Sequence, residues 1–348
     1  MMKIPSAKEN SGFAVIIVLV TITVLTLLAG AFAYSMKVET RLAQNSDNDE
    51  QLLWLGRAGV ERARWILAQE PTAYSSLNQV WAGGGGEGPE TNGPLAGISL
   101  DNFPVGDGSV SLKIIELESK ININTAPAPL LQQVLTLQGA DAGGINTVSD
   151  SILDWVSAGE ATRPAGAKSD YYQGLNPSYY AKNAPMDNIS ELLLVKGVSL
   201  AMFKGGSVTN DQGAAFQHHH LGFGNAPGQM PDYAFGLQEV FTPFSSGQVN
   251  ILTASDTVLQ LIPGIDTLTA QAIETARNSD PPIRNVEQLF AAAQIPAAAR
   301  AQIKNYVSAR GSTYEVHATA HIGDYSREFV AILFRYGPNV DVFGFYWK

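Results

Sequence analysis

SGFAVIIVLVTITVLTLLAGAFAYSMKVETRLAQN, from Ser11 to Asn45, carries an apolar block that no charge interrupts between Phe13 and Met36. As a helix, Phe13 to Phe32 rises about 30 Å, which matches the hydrocarbon core of a bilayer. Each Leu, Ile, Val or Phe there favours insertion by roughly 0.3 to 0.6 kcal/mol. A cleavable secretory signal is the other reading, with Lys3 and Lys8 ahead of the block and Ala29-Gly30-Ala31 or Ala31-Phe32-Ala33 as its cleavage site. The apolar run exceeds a usual signal core, so the membrane span is preferred.

Downstream the helical pattern continues without proline. Val38, Leu42, Leu52, Leu55, Gly59, Ala63 and Ile66 recur at three- and four-residue spacings, interrupted only by the polar run Gln44–Gln51, until Pro71 stops the pattern. The spacing predicts one long helix, apolar in its first half and amphipathic in its second.

The chain has 348 residues and a formal net charge of −10, enough length for two or three domains with cores. That acidic balance speaks against nucleic acid or anionic lipid as a partner. With no cysteine, disulfides, thiolate catalysis and Cys-based zinc sites are excluded. GxSxG, P-loop and HExxH motifs are missing as well, and the chain is read as a non-enzyme.

Gly83–Pro94 reads as a turn-rich loop, Ser109–Glu118 as a strand, and Thr313–His321 with Ser326–Arg335 as a hairpin turning at Gly323-Asp324. Between these β segments the patterns are mostly helical, which predicts an α+β fold with a helical domain inserted into a small sheet domain. The insert repeats itself. KININTAP (Lys120–Pro127) aligns with QVNILTAS (Gln248–Ser255), and each is followed by a helix start and then a glycine turn, at Gly139 and Gly264. A second echo pairs Asn188-Ile189-Ser190-Glu191-Leu192 with Asn285-Val286-Glu287-Gln288-Leu289, each an Asn cap with Glu or Gln three residues on.

The most specific stretch is DWVSAGEATRPAGAKSDYYQGLNPSYYAKNAPMDNISELLLVKGV, Asp154 to Val198. With Gly12-Phe13 at the head of the long helix, it resembles the minor pseudopilin K family of type II secretion systems. The matching residues are Asp154, Trp155, Arg163, Pro164, Gly166, Ala167, Asp170, Tyr171, Tyr172, Pro185, Glu191, Leu192, Val195, Lys196 and Gly197. The resemblance implies a pilin-like sheet around an all-α insert with two helix-hairpin-helix-like repeats. Its domains are a leader over residues 1–12, a transmembrane helix over 13–36, a periplasmic helix over 37–70, a pilin-like domain over 71–119 and 310–348, and the insert over 120–309.

The resemblance also implies cleavage by prepilin peptidase between Gly12 and Phe13, and methylation at Phe13. Ile17 occupies the fifth mature position, where most of the family has Glu, and its apolar character is a trait of the K subunit placed at the fibre tip. Implied partners are the I- and J-type minor pseudopilins, the major pseudopilin, the peptidase, the inner-membrane assembly platform and secreted cargo. The implied location is the inner membrane of a Gram-negative cell, single-pass, with the C-terminal domain in the periplasm.

Two chemical readings accompany this one. Helix-hairpin-helix modules also grip DNA in competence proteins, so a membrane-anchored DNA-binding protein is the alternative. Against it, Arg277, Arg284, Arg300, Lys304 and Arg310 are balanced by Asp256, Asp266, Glu274, Asp280 and Glu287, which leaves the second module with little phosphate affinity. Asp154, Glu160 and Asp170 are hard oxygen donors on a turn-rich loop and suit calcium, which the family is thought to bind, although Ser157 and Lys168 stand where the family often has acids. The bland reading is a solvated loop held by Trp155, Tyr171 and Tyr172. His218-His219-His220 in the loop Gly205–Asp232 reads as polar filler in preference to a metal site, His317 and His321 as residues of one strand face with no acidic or third partner at ligand spacing, and Trp54, Trp65 and Phe345-Tyr346-Trp347 as packing anchors.

Overall fold

The computed structural model describes residues 11–84, 93–206, 233–279 and 282–348. The His218–His220 run and most of both glycine-rich loops lie outside them. α1 (Ser11–Gln69) is one helix of 59 residues that ends just before Pro71. Val15–Arg41 within it is long and apolar enough to cross a membrane, and none of that span is buried against the rest of the protein. From Leu52 onward the helix buries a stripe of Leu52, Leu55, Val60, Ala63, Ile66 and Leu67. The last carbonyls of a helix lack partners within it. Here Arg335 supplies one, donating from Nη1 to Leu67 O at 3.2 Å and from Nη2 to Pro71 O.

After α1 come β1 (Phe103–Val105) and β2 (Gly108–Glu116). The chain then leaves the sheet through β3 (Ile121–Asn122), α2 (Ala128–Gln138), α3 (Ala142–Val156), α4 (Ser169–Gln173), α5 (Leu200–Lys204), α6 (Leu237–Val240) and β4 (Phe241–Thr242). It continues through β5 (Val249–Asn250), α7 (Asp256–Leu261), α8 (Thr267–Arg277), α9 (Val286–Ala292), α10 (Ala297–Ile303) and β6 (Val307–Ser308), and returns in β7 (Thr313–Ile322), β8 (Tyr325–Tyr336) and β9 (Asn339–Trp347). The main sheet has the order β1-β2-β7-β8-β9 and is antiparallel throughout. Glu116 at the end of β2 pairs with Tyr314 at the start of β7, so the helical unit is inserted between two neighbouring strands.

Two hydrophobic cores result. One lies between α1 and the sheet, where Val110, Leu112, Val316, Ala318, Phe329 and Leu333 meet the helix. A Cβ at Gly56 would stand 2.3 Å from the Phe329 ring, and one at Gly59 would stand 2.8 Å from Val110 Cγ1, so both glycines are required by the close helix–sheet approach. The other core fills the helical unit, from Ile121 to Ala309.

The aromatic anchors need correcting. Trp54 and Trp65 on α1 are 59% and 42% exposed, and Trp347 is exposed as well. Phe345-Tyr346-Trp347 belong to β9, an edge strand whose side chains have no sheet neighbour beyond them. Of these, Phe345 packs inward, stacked on Phe329 with ring centroids 5.5 Å apart.

Candidate functional site

Gly12, Phe13 and Ile17 all lie in the first turns of α1. Phe13 is 69% exposed and Ile17 is 50% exposed, so this end of the helix presents apolar surface that only lipid or another protein can cover.

In the loop after α3 the three carboxylates do not converge. Asp154, near the C-terminus of α3, is completely buried and forms an ion pair from Oδ1 to Arg163 Nη1 at 2.6 Å, while its Oδ2 accepts the Arg163 backbone N–H at 3.1 Å. Gly166 makes room for it, since a Cβ there would lie 1.9 Å from Asp154 Oδ2. Glu160 accepts from the Ser169 hydroxyl at 3.0 Å, the Ser169 N–H at 3.2 Å and Asn183 Nδ2 at 2.6 Å. These bonds, led by the Ser169 hydroxyl, hold its carboxyl below the usual range. Asp170 is exposed in the first turn of α4. Among the described residues, no group of three or more His, Cys, Asp or Glu stands where it could hold a metal ion. The donor set therefore does not fit calcium, because arginine holds the Asp154 carboxylate, serine and asparagine hold that of Glu160, and Asp170 stands exposed without joining them.

Lys168 sits at the centre instead. It is only 2% exposed. Its ammonium donates to Asp154 O, to Ser157 O at 2.7 Å and to Asn183 Oδ1 at 2.8 Å, with Ser157 Oγ a further 3.3 Å contact. Burial lowers its pKa, and the charges of Asp154 and Glu160 oppose that shift.

Aromatic rings support the loop from below. Trp155 meets Tyr172 edge-on at 5.3 Å, Tyr172 stacks on Tyr179 at 5.2 Å, and Lys196 lies 4.9 Å over the Tyr171 ring. Glu191 ties the far end, accepting from Trp155 Nε1 at 3.2 Å and from Lys182 Nζ at 2.7 Å.

Both repeats form helical hairpins. α2 and α3 join through Gly139 at φ 93°, and α7 and α8 join through Gly264 at φ 91°, a backbone region that glycine enters without strain. Each hairpin is preceded by the same asparagine device. Asn122 Oδ1 accepts from Asn124 N at 2.8 Å, and Asn250 Oδ1 accepts from Leu252 N at 3.0 Å. The basic residues of the second hairpin are occupied by the protein itself. Arg277 donates to Ala254 O at 2.6 Å, Arg300 to Ile295 O at 2.6 Å and Arg310 to Ala73 O at 3.1 Å, while Lys304 pairs with Glu287 at 2.8 Å and Arg284 lies over Tyr74 at 5.6 Å.

Two polar groupings escape a reading of the sequence. At the doorway of the insert, Glu118 accepts from Ser246 N, Ser312 N and Oγ, and Thr313 N, at 2.6 to 3.2 Å. Beside it, Glu116 accepts from Asn250 Nδ2 at 2.9 and 3.0 Å, and burial pushes its pKa up to about 8. On the sheet, His317 does have acidic partners, contrary to expectation. Nε2 lies 2.7 Å from Glu315 and Nδ1 lies 2.6 Å from Glu328, and these bonds, led by Glu315, raise its pKa. Glu315 shares the strand face two residues away and Glu328 is a diagonal neighbour on β8.

A bare apolar helix that continues into a helix-on-sheet unit, with a helical unit set between two strands, defines an α+β protein with an inserted helical domain. Residues 111–205 match the family described as Type II secretion system (T2SS), protein K, and residues 245–308 match the helix-hairpin-helix motif. Over residues 111–205 the chain is therefore similar to type II secretion system protein K. It is 24% identical over 223 residues to a Type II secretion system protein K of Aeromonas hydrophila, covering 57% of this chain and 62% of that one. A protein of the same description from Klebsiella pneumoniae is 23% identical over 213 residues, covering 56% and 60%. The matched region thus spans about three fifths of these relatives' length. Among solved structures, the GspK-GspI-GspJ complex from the enterotoxigenic Escherichia coli Type 2 Secretion System contains a chain of the same fold, with a TM-score of 0.64 at 15% identity, covering 88% of this chain and 99% of that one.

Proposed function

We propose that the chain is a minor pseudopilin that acts at the tip of a type II secretion pseudopilus, where it primes fibre assembly for export across the outer membrane. The observation that carries this reading is a protein K region set in a sheet that is itself fixed to an unpartnered apolar helix. That helix supports a single-pass anchor in the inner membrane, with the remainder in the periplasm. The solved neighbour is a complex with GspI and GspJ, so I- and J-type pseudopilins are the partners we assign. The major pseudopilin, the assembly platform, prepilin peptidase and secreted cargo complete the set. No catalytic chemistry is assigned.

In this reading Gly12–Phe13 is the processing junction and Phe13 the methylated residue. A carboxylate at position 17, within the apolar first turns of the helix, is disfavoured in lipid or in a fibre core unless it is paired. A subunit with nothing ahead of it offers no such pair, and Ile17 avoids the need for one. Mass spectrometry of the protein purified from membranes tests the processing, with a methylated Phe13 N-terminus expected; an N-terminus after Ala31 or Ala33 would restore the signal-peptide reading. Co-purification with I- and J-type chains at about one copy per fibre tests the position, and many copies along the shaft would refute it. The DNA-binding alternative requires free cations on the second hairpin, where the basic residues already have protein partners. Salt-sensitive micromolar binding to duplex DNA would revive it.

A further inference from the structure

We infer that Lys168 is a built-in cation that takes the place of a divalent metal in this chain, so that the loop between α3 and α5 is ordered without calcium. Four oxygens face the ammonium: the main-chain carbonyls of Asp154 and Ser157, the amide oxygen of Asn183 and the Ser157 hydroxyl. Neutral carbonyl and amide oxygens on an irregular loop, with carboxylates close by, are the donors that hard cations take. Lys168 reaches them as a point charge with three donors, and its short contacts match those three.

Position explains why a cation belongs here. The Asp154 carbonyl is one of the last of α3, and the helix C-terminus concentrates partial negative charge there. Asp154 and Glu160 add two formal negative charges, and Lys168 and Arg163 cancel them. A divalent ion would have to enter beside a buried ammonium that already holds its ligands, and like charges at such separation repel strongly. The metal and Lys168 are therefore alternatives. The ammonium joins three separate segments, the end of α3, the turn before α4 and Asn183, which is the work a structural ion does.

Thermal melting and calorimetric calcium titration of the full chain in detergent test this. The wild-type midpoint should be the same in millimolar calcium and in chelator. Lys168→Met should melt several degrees lower in chelator, recover part of that loss in calcium, and bind the ion at least tenfold more tightly than wild type. Should Lys168→Met fail to fold, Ser157→Asp keeps the ammonium and sets a carboxylate beside it; it should melt near wild type with no response to calcium. A calcium-dependent rise in the wild-type or Ser157→Asp midpoint would overturn the inference, as would a Lys168→Met protein that melts like wild type in chelator.

Discussion

In the first hairpin repeat Asn122 is followed two residues on by Asn124; in the second, Asn250 is followed by Leu252. The surrounding backbone is alike, because Ala126 N donates to Asn122 O at 3.0 Å and Ala254 N donates to Asn250 O at 2.9 Å. Yet Asn124 reaches out. Its Oδ1 accepts from Met186 N at 2.7 Å, and its Nδ2 donates to Met186 O and Pro243 O at 3.1 Å each. Leu252 instead packs into the helical core. The outer groups of the paired asparagines differ too. Asn122 Nδ2 donates to Ser245 O within the insert, whereas Asn250 Nδ2 donates to Ser75 O and Glu116, outside it. One framework has thus been given two tasks: the first repeat pins a polar loop, and the second fastens the insert to the sheet.

The largest expected effect tests the second task. Glu116 has a folded pKa of about 8 because burial disfavours its charge. The folded state therefore holds a proton that the unfolded state releases near pH 4.5. Stability is full below that lower value and falls as pH rises through the window up to about 8, by roughly 1.4 kcal/mol per unit while only the folded state is protonated. Glu116→Gln should flatten this slope while keeping an amide for Asn250. Denaturant melts at pH 5 and pH 8 measure it; equal slopes in wild type and variant would mean the doorway is not what joins the two units.

Next come the asparagines. Asn250→Ala takes a buried donor from Glu116, which keeps Thr253 and Ser75, leaves the Ser75 carbonyl and Leu252 N unpaired, and should cost about 3 kcal/mol, whereas Asn122→Ala, which frees one carbonyl and one turn N–H, should cost about 1–2. Asn124→Leu should lower stability by a similar 1–2 kcal/mol and speed proteolysis near Met186, leaving the second repeat protected. Equal losses at Asn122 and Asn250 would break the contrast between the repeats.

Much of this framework was legible. The α1 boundary followed from Pro71, the hairpin turns from Gly139 and Gly264, and the caps from Asn188 and Asn285, because each depends on neighbours in sequence. What escaped depends on distant ones. Lys168 reads as a solvated charge until Ser157 and Asn183 are folded around it. Glu328 lies eleven residues from His317, and only strand pairing brings it close. β9 is hidden because its apolar positions face solvent more often than core, so the alternation that marks a half-buried strand is lost.

The smallest effect concerns the helix starts that echo one another. Asn188 caps the 3-10 turn Ile189–Leu194 by accepting from Ser190 N at 2.9 Å, and Glu191 closes the box by accepting from Asn188 N at 3.1 Å. Asn285 caps α9 by accepting from Gln288 N at 2.9 Å, while Gln288 accepts from Arg284 N at 3.1 Å. Loss of an N-cap costs about 1 kcal/mol, so Asn188→Ala and Asn285→Ala should be nearly equal. The residues three places on should not be. Glu191 also holds Lys182 and Trp155, and these bonds, against the opposing effect of burial, keep its carboxyl below the usual range. Gln288 has no such charge to share. Glu191→Gln should therefore cost more than Gln288→Ala, and its excess should vanish in a Lys182→Met background if the ion pair is the cause. An excess that persists there would assign the difference to Trp155 instead, and would make the aromatic stack, not the charge, what sets the first repeat apart.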